Sequence, residues 1–209
     1  MIRIVALGDS TTAGTPGFRS PLEAPPHGQG DATSQYAWWL RQWHPEWDIL
    51  NRGVNGERSD EIAARFDRDV LQVSPAVAII IAGVNDVYQG LPAAHAIRSL
   101  RQMYARAIDA GVHVVAGSIL PYNTATADQN ARMRQINDWI QSEATHERRI
   151  AFVDTRGAVA TPDDGDVLSE SPDGLHPSPT GYRRMAQAMI PTLERVISDL
   201  TGRTSANTL

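Results

Sequence analysis

Apolar positions along this chain follow two alternating rhythms. Five short runs, Ile2 to Leu7, Asp48 to Leu50, Ala76 to Ile81, Val112 to Ala116 and Ile150 to Val153, are rich in β-branched or other apolar residues. Most lack the alternation of a half-exposed strand, as strands covered on both faces do. Between them apolar residues recur at three and four positions: Ile62, Phe66, Val70 and Val73; Ile97, Leu100, Tyr104 and Ile108; Met133, Ile136 and Ile140; Tyr182, Met185, Met189, Leu193 and Ile197. That spacing predicts amphipathic helices. Ser59 and Asp60 suit a helix start, Gly111 a helix end and Thr180 a cap, while Pro191 predicts a kink in the last helix. Strands alternating with helices predict a three-layer α/β/α sandwich on about five parallel strands, joined by right-handed crossovers.

Two segments break the rhythm. Thr15 to Ser34 carries four prolines (Pro16, Pro21, Pro25, Pro26) and three glycines (Gly17, Gly28, Gly30), which predicts an irregular loop. Loops this long in a compact domain are usually functional, so it is expected to border a site. The polar stretch from Gly202 onward is expected to fray. A chain of 209 residues supports one core. The expectation is therefore one domain over 1–201 with a flexible tail over 202–209.

Composition narrows the function classes. With 42% hydrophobic and 21% charged residues the chain reads as soluble and globular. A net charge of -5 lacks the basic footprint of nucleic-acid or anionic-membrane binding. Without cysteine, thiolate chemistry and disulfides are excluded. The N-terminal apolar run is short and ends at Asp9, so it reads as a strand, not a signal peptide, and a cytoplasmic location is expected. No apolar stretch approaches the roughly 20 residues of a membrane-spanning helix. Oligomeric state is not legible in these patterns.

In open parallel sheets ligands gather at the carboxyl ends of strands. After the first strand comes Gly8-Asp9-Ser10-Thr11-Thr12-Ala13-Gly14; after the second, Asn51-Arg52-Gly53-Val54-Asn55-Gly56; after the third, Ala82-Gly83-Val84-Asn85-Asp86. Just before the final helix stands Asp173-Gly174-Leu175-His176-Pro177. A serine hydroxyl attacks an acyl carbon when an imidazole takes its proton. His176 is the candidate base for Ser10, and Asp173, three residues earlier on a tight turn, is the candidate for fixing its tautomer. Acyl transfer also needs donors for the oxyanion, and the Ser10 N–H, Gly56 and the Asn85 amide are the candidates.

These four blocks, in this order from residue 8 to 177, resemble the SGNH, or GDSL-type, hydrolase family. The resemblance implies a flavodoxin-like sandwich and cofactor-free hydrolysis of small-molecule esters or thioesters, with no metal. It also implies Ser10 as nucleophile, His176 as base and an oxyanion glycine in an Asn-x-x-x-x-Gly spacing, which matches Asn51 to Gly56 better than Gly53. Thr11 replaces the family's usual leucine after Gly-Asp-Ser, and bears on substrate fit. Thr11, with Tyr122 and Asn123 after the fourth strand, is expected to line the substrate pocket.

Blander readings stand beside these. Asp9 and Asp86 read as scaffolding for their loops, and His27, His44, His95, His113 and His146 show no metal-ligand spacing. Asp163, Asp164 and Asp166 read as a solvated acidic loop, lacking the distal glutamate of a calcium loop. Trp38, Trp39, Trp43 and Trp47 suit core packing better than a sugar platform. Ser10, Thr11 and Thr12 after the first strand also fit a phosphate cradle, so a flavin-binding protein is the alternative from another class. A non-catalytic acyl- or glycan-binding member of the fold is the second.

Overall fold

The structure, a computed structural model, describes residues 1–206. β1 (Ile2–Gly8) leads into the one-turn helix α1 (Ser10–Ala13), and the long connection after it holds β2 (Phe18–Arg19) and β3 (Gln29–Gly30). Then come α2 (Tyr36–Trp43), β4 (Trp47–Gly53), α3 (Ser59–Ala64) and α4 (Phe66–Asp69). β5 (Val77–Ile81) precedes α5 (Val84–Tyr88) and α6 (Ala93–Asp109), and β6 (His113–Gly117) precedes α7 (Ala127–His146). β7 (Ile150–Val153), α8 (Thr155–Val159), β8 (Ala160–Thr161) and β9 (Asp164–Leu168) lead to α9 (Pro179–Ala206).

Five strands form one parallel sheet in the order β4-β1-β5-β6-β7. Successive side chains point to opposite faces, and both faces are apolar. Val5, Leu7, Ala78, Ile80, Val114 and Ala116 meet Ile62, Phe66, Leu100, Met103, Met133 and Ile136 of α3, α4, α6 and α7. Ile4, Ala6, Ile79, Ile81 and Val115 meet Leu40, Val159, Tyr182, Met185 and Met189 of α2, α8 and α9. This is the expected three-layer, flavodoxin-like sandwich. The order reverses direction at β1, so the loops leaving β1, β4 and β5 meet in one crevice at the carboxyl edge.

Three local expectations change. The helix read across Ile62 to Val73 is broken into α3, α4 and a 3-10 turn at Leu71–Val73. Arg65 sits at the break, and its buried guanidinium donates to the carbonyls of Gly8 and Arg52, each at 2.8 Å, and to Glu57 and Asp69. The cap of α9 is not Thr180 but Ser178, whose Oγ accepts the Gly181 N–H at 3.2 Å. Pro179, which has no N–H to satisfy, takes the first helical position. Of the tail expected from Gly202, the backbone continues α9 to Ala206, and residues 207–209 lie outside the described residues. Among the described residues no helix is long and apolar enough to cross a membrane.

Candidate active site

Asp9 ends β1 and caps α1: its Oδ1 accepts the Thr11 N–H at 2.9 Å. The cap turns the chain sharply, so Ser10 is the first residue of the helix. Thr12 points inward and shares a hydrogen bond of 3.0 Å with the Tyr36 hydroxyl. Beneath α1 lies Gly53 at the end of β4. A Cβ built there would come within 2.1 Å of the Ala13 nitrogen, so only glycine lets this strand end approach the helix.

The second contributor is the turn before α9. Asp173 Oδ1 accepts the N–H groups of Leu175 at 2.9 Å and His176 at 2.8 Å, and Gly174 completes the turn at φ +77°. That leaves Oδ2 facing His176 Nδ1 at 2.7 Å, and on the other side of the ring Nε2 lies 2.9 Å from Ser10 Oγ. Partial burial opposes ionisation of Asp173, but the His176 ring and the two backbone donors outweigh it and hold its pKa below the usual carboxylate value. An ionised Asp173 accepts from Nδ1–H, which leaves Nε2 free as the acceptor for the Ser10 hydroxyl.

A cavity of about 140 Å³ opens at this point. Ser10, Gly56, Asn85 and His176 form its polar side, and Val84, Tyr88, Tyr122 and Leu175 its apolar wall. One amide N–H of Asn85 donates to the Glu57 carbonyl at 2.9 Å, and a primary amide has a second to offer. The structure thus brings Ser10, His176, Asp173, Gly56 and Asn85 into one site. Of the three expected lining residues, Thr11 and Tyr122 line the cavity and Asn123 does not. Its side-chain amide is taken up by the backbone of Leu168, accepting at 2.7 Å and donating at 3.3 Å. Gly53, the fallback for the oxyanion role, is buried under α1 instead.

The proline-rich loop borders the site from behind: none of residues 15–34 lines the cavity. Ser20 Oγ donates to the Gly53 carbonyl at 2.6 Å, and Glu23 Oε1 accepts the Asn55 N–H at 3.0 Å, so the loop braces the segment carrying Gly56. The acidic loop is not simply solvated, because Asp166 pairs with Arg134 and with Arg156. Trp38, Trp39, Trp43 and Trp47 all lie away from the cavity. Arg183 stacks over Trp39 at 5.4 Å. The flavin reading loses its phosphate cradle at α1, where the buried Asp9 caps the helix by taking the Thr11 N–H.

The sequence model of the GDSL-like lipase/acylhydrolase family matches residues 6–184. The chain belongs to this family. That membership makes it a carboxylic ester hydrolase. Similar proteins include an acetylxylan esterase of Geobacillus stearothermophilus, 24% identical over 162 residues that cover 68% of this chain and 70% of that one. Among solved structures, a protein assigned to the lipolytic G-D-S-L family of Desulfitobacterium hafniense superposes with a TM-score of 0.74 at 25% identity, covering 94% of this chain and 99% of the other. A catalytic mutant of the G. stearothermophilus acetylxylan esterase superposes with a TM-score of 0.71 at 19% identity, covering 91% and 93% of the two chains.

Asp9 of this acylhydrolase carries an unusual charge environment. It is fully buried, and among the described residues its Oδ2 has no partner. Burial pushes its pKa up to about 7 against the opposing hydrogen bond from Thr11, and the nearby Asp86 charge adds to the rise. Because the folded pKa lies above the unfolded value of about 3.9, the folded state retains the proton in between. The stabilisation from keeping that proton is complete below about pH 4 and is lost as pH rises towards 7. The Asp9→Asn variant carries an amide that cannot ionise. Between about pH 5 and 8 its stability is therefore expected to rise relative to wild type by about 3 kcal/mol. Denaturant unfolding at a series of pH values checks this, and parallel curves for the two proteins would contradict it.

Sequence reasoning missed Val84, Tyr88 and Leu175 as wall residues. α5 has only five residues and leaves no periodic trace, yet Tyr88, three positions beyond Asn85, falls on the same helix face. Leu175 carried a signal, since it adjoins His176.

Proposed function

We propose that this acylhydrolase is a serine esterase that cleaves short-chain carboxylic esters through an acyl-enzyme on Ser10. The observation that carries the reading is the unbroken hydrogen-bonded chain from Ser10 Oγ through both nitrogens of His176 to Asp173, at 2.9 and 2.7 Å. His176 Nε2 takes the hydroxyl proton as Ser10 Oγ bonds to the acyl carbon. The carbonyl oxygen becomes an oxyanion facing the Ser10 N–H, the Gly56 N–H and the Asn85 amide. Collapse expels the alcohol, which receives the proton from His176. Water, deprotonated in turn by His176, attacks the acyl-enzyme and releases the acid and free Ser10. Asp173 stays ionised throughout and stabilises the imidazolium. All these groups lie between residues 8 and 177 at one edge of the sheet, and residues 1–201 act as one catalytic domain.

The cavity suits a small acyl group. A cavity of about 150 Å³ holds a benzene molecule, so about 140 Å³ takes roughly six heavy atoms. That suits acyl groups of up to about four carbons against the Val84, Tyr122 and Leu175 wall. The acetylxylan esterase relative makes O-acetylated sugars the first natural esters to test. A series of p-nitrophenyl esters checks the limit: kcat/KM is expected to fall for chains beyond about four carbons. A rise through eight carbons and longer would contradict the short-chain assignment.

A further inference from the structure

We infer that Asp86, gripping Ser59 and His95, is a positioning residue that holds the oxyanion loop against α5; this rests on the serine esterase reading above. Asp86 follows Asn85 in α5 and is fully buried. Its Oδ2 accepts the Ser59 N–H at 2.9 Å, while Oδ1 accepts from the Ser59 hydroxyl and faces His95 Nδ1, both at 2.7 Å. Ser59 begins α3 three residues after Gly56, and His95 lies in the first turn of α6. A carboxylate next to one oxyanion donor thus grips the chain just beyond another.

The loop needs such a grip. Gly56 has φ +77°, and a Cβ built on it would meet nothing within 4 Å, so no neighbour packs against that side of the residue. Hydrogen bonds hold its flanks. The same junction carries Asn85 Nδ2 to the Glu57 carbonyl at 2.9 Å and Arg58 Nη1 to Gln89 Oε1 at 3.2 Å. Asp86 supplies a fully buried anchor whose two oxygens both accept from Ser59, so the start of α3 is tied to α5 at two points. Asp86, Ser59 and His95 do not line the cavity, so they act through Gly56 and Asn85 and not on substrate.

The same side chains raise a competing reading. The ligand atoms of Asp60, Asp86 and His95 lie within 4.8 Å of one another, as in a metal site. Both oxygens of Asp86 already face protein donors, however, and both oxygens of Asp60 accept from the Arg58 guanidinium at 3.0 and 3.1 Å. Asp86 is thus taken up by the clamp, and Asp60 stands outside it on Arg58.

The test measures kcat per active site, with sites counted by stoichiometric reaction with a fluorophosphonate and folding checked by near-UV circular dichroism. Asp86→Asn and the milder Ser59→Ala are expected to lower kcat roughly 10- to 100-fold with KM within about twofold. Both should weaken binding of an alkyl boronic acid, a tetrahedral mimic, by a similar factor, which a merely structural role would not do. Asp60→Asn, which breaks the metal cluster but spares the clamp, should stay within about twofold, and EDTA should have no effect. Full kcat per site in both folded clamp variants, or equal losses on Asp60→Asn or EDTA treatment, would overturn the inference. If Ser10→Ala is dead while both clamp variants run at full rate, this inference alone fails. Retained turnover in Ser10→Ala overturns the serine reading and this inference together.

Discussion

Ser10→Ala is expected to lower kcat on p-nitrophenyl acetate by roughly 10⁴- to 10⁶-fold while leaving the fold and its unfolding transition almost unchanged. Ser10 is nearly buried, but its hydroxyl is held by the His176 ring, so the substitution removes one contact and opens little space. What disappears is the atom that forms the bond to the acyl carbon. The oxyanion donors remain, so a residual acceleration over water persists. Steady-state kinetics with thermal unfolding on the same samples separates this outcome from a folding defect. The size of the loss matters, because a fall of only tenfold would describe a residue near the chemistry and not the nucleophile.

Gly53→Ala is expected to damage both stability and rate. The new Cβ would stand 2.1 Å from the Ala13 nitrogen and 2.6 Å from both Ala13 Cα and the Thr12 carbonyl carbon. All three are backbone atoms of α1, so no side chain can swing away. Either β4 or α1 must move, at a cost of about 3 kcal/mol or more, which corresponds to a drop in Tm of roughly 6 to 12 °C. Any shift of α1 also carries Ser10 away from His176. A displacement near 1 Å costs about 100-fold in rate, so kcat should fall even where the variant is fully folded. An unchanged Tm would show that the strand end and α1 are not packed as described. The contrast with Gly56 is instructive: both glycines belong to the block from Asn51 to Gly56, but Gly56 faces open space with φ +77°, and Gly53, at the end of β4, is needed for close approach.

What was legible in the sequence depends on how local each cause is. The parallel strands were legible because both faces of the sheet are buried, which leaves unbroken apolar runs such as Val77–Ile81. The pairing of Asp173 with His176 was legible because a three-residue turn closes it. Ser10 and His176, 166 positions apart, could be joined only through the rule that strand ends converge. Other features depended on distant partners that leave no trace in spacing. The α3–α4 break goes with the two carbonyls that Arg65 reaches from β1 and β4. Asp166 is held by Arg134 of α7 and by Arg156 of α8. Asn123 was misplaced for the same reason, since a backbone segment 45 residues away claims its amide. His95 shows no metal-ligand spacing in the sequence, and only the fold reveals that it faces Asp86.

The central claim is that Ser10 carries the acyl group. Reaction of the intact protein with a fluorophosphonate, followed by peptide mass spectrometry, tests it most directly. One adduct per chain is expected, on the peptide containing Ser10, and none in Ser10→Ala. An adduct that maps to another residue, or that persists at full stoichiometry in Ser10→Ala, would contradict the account.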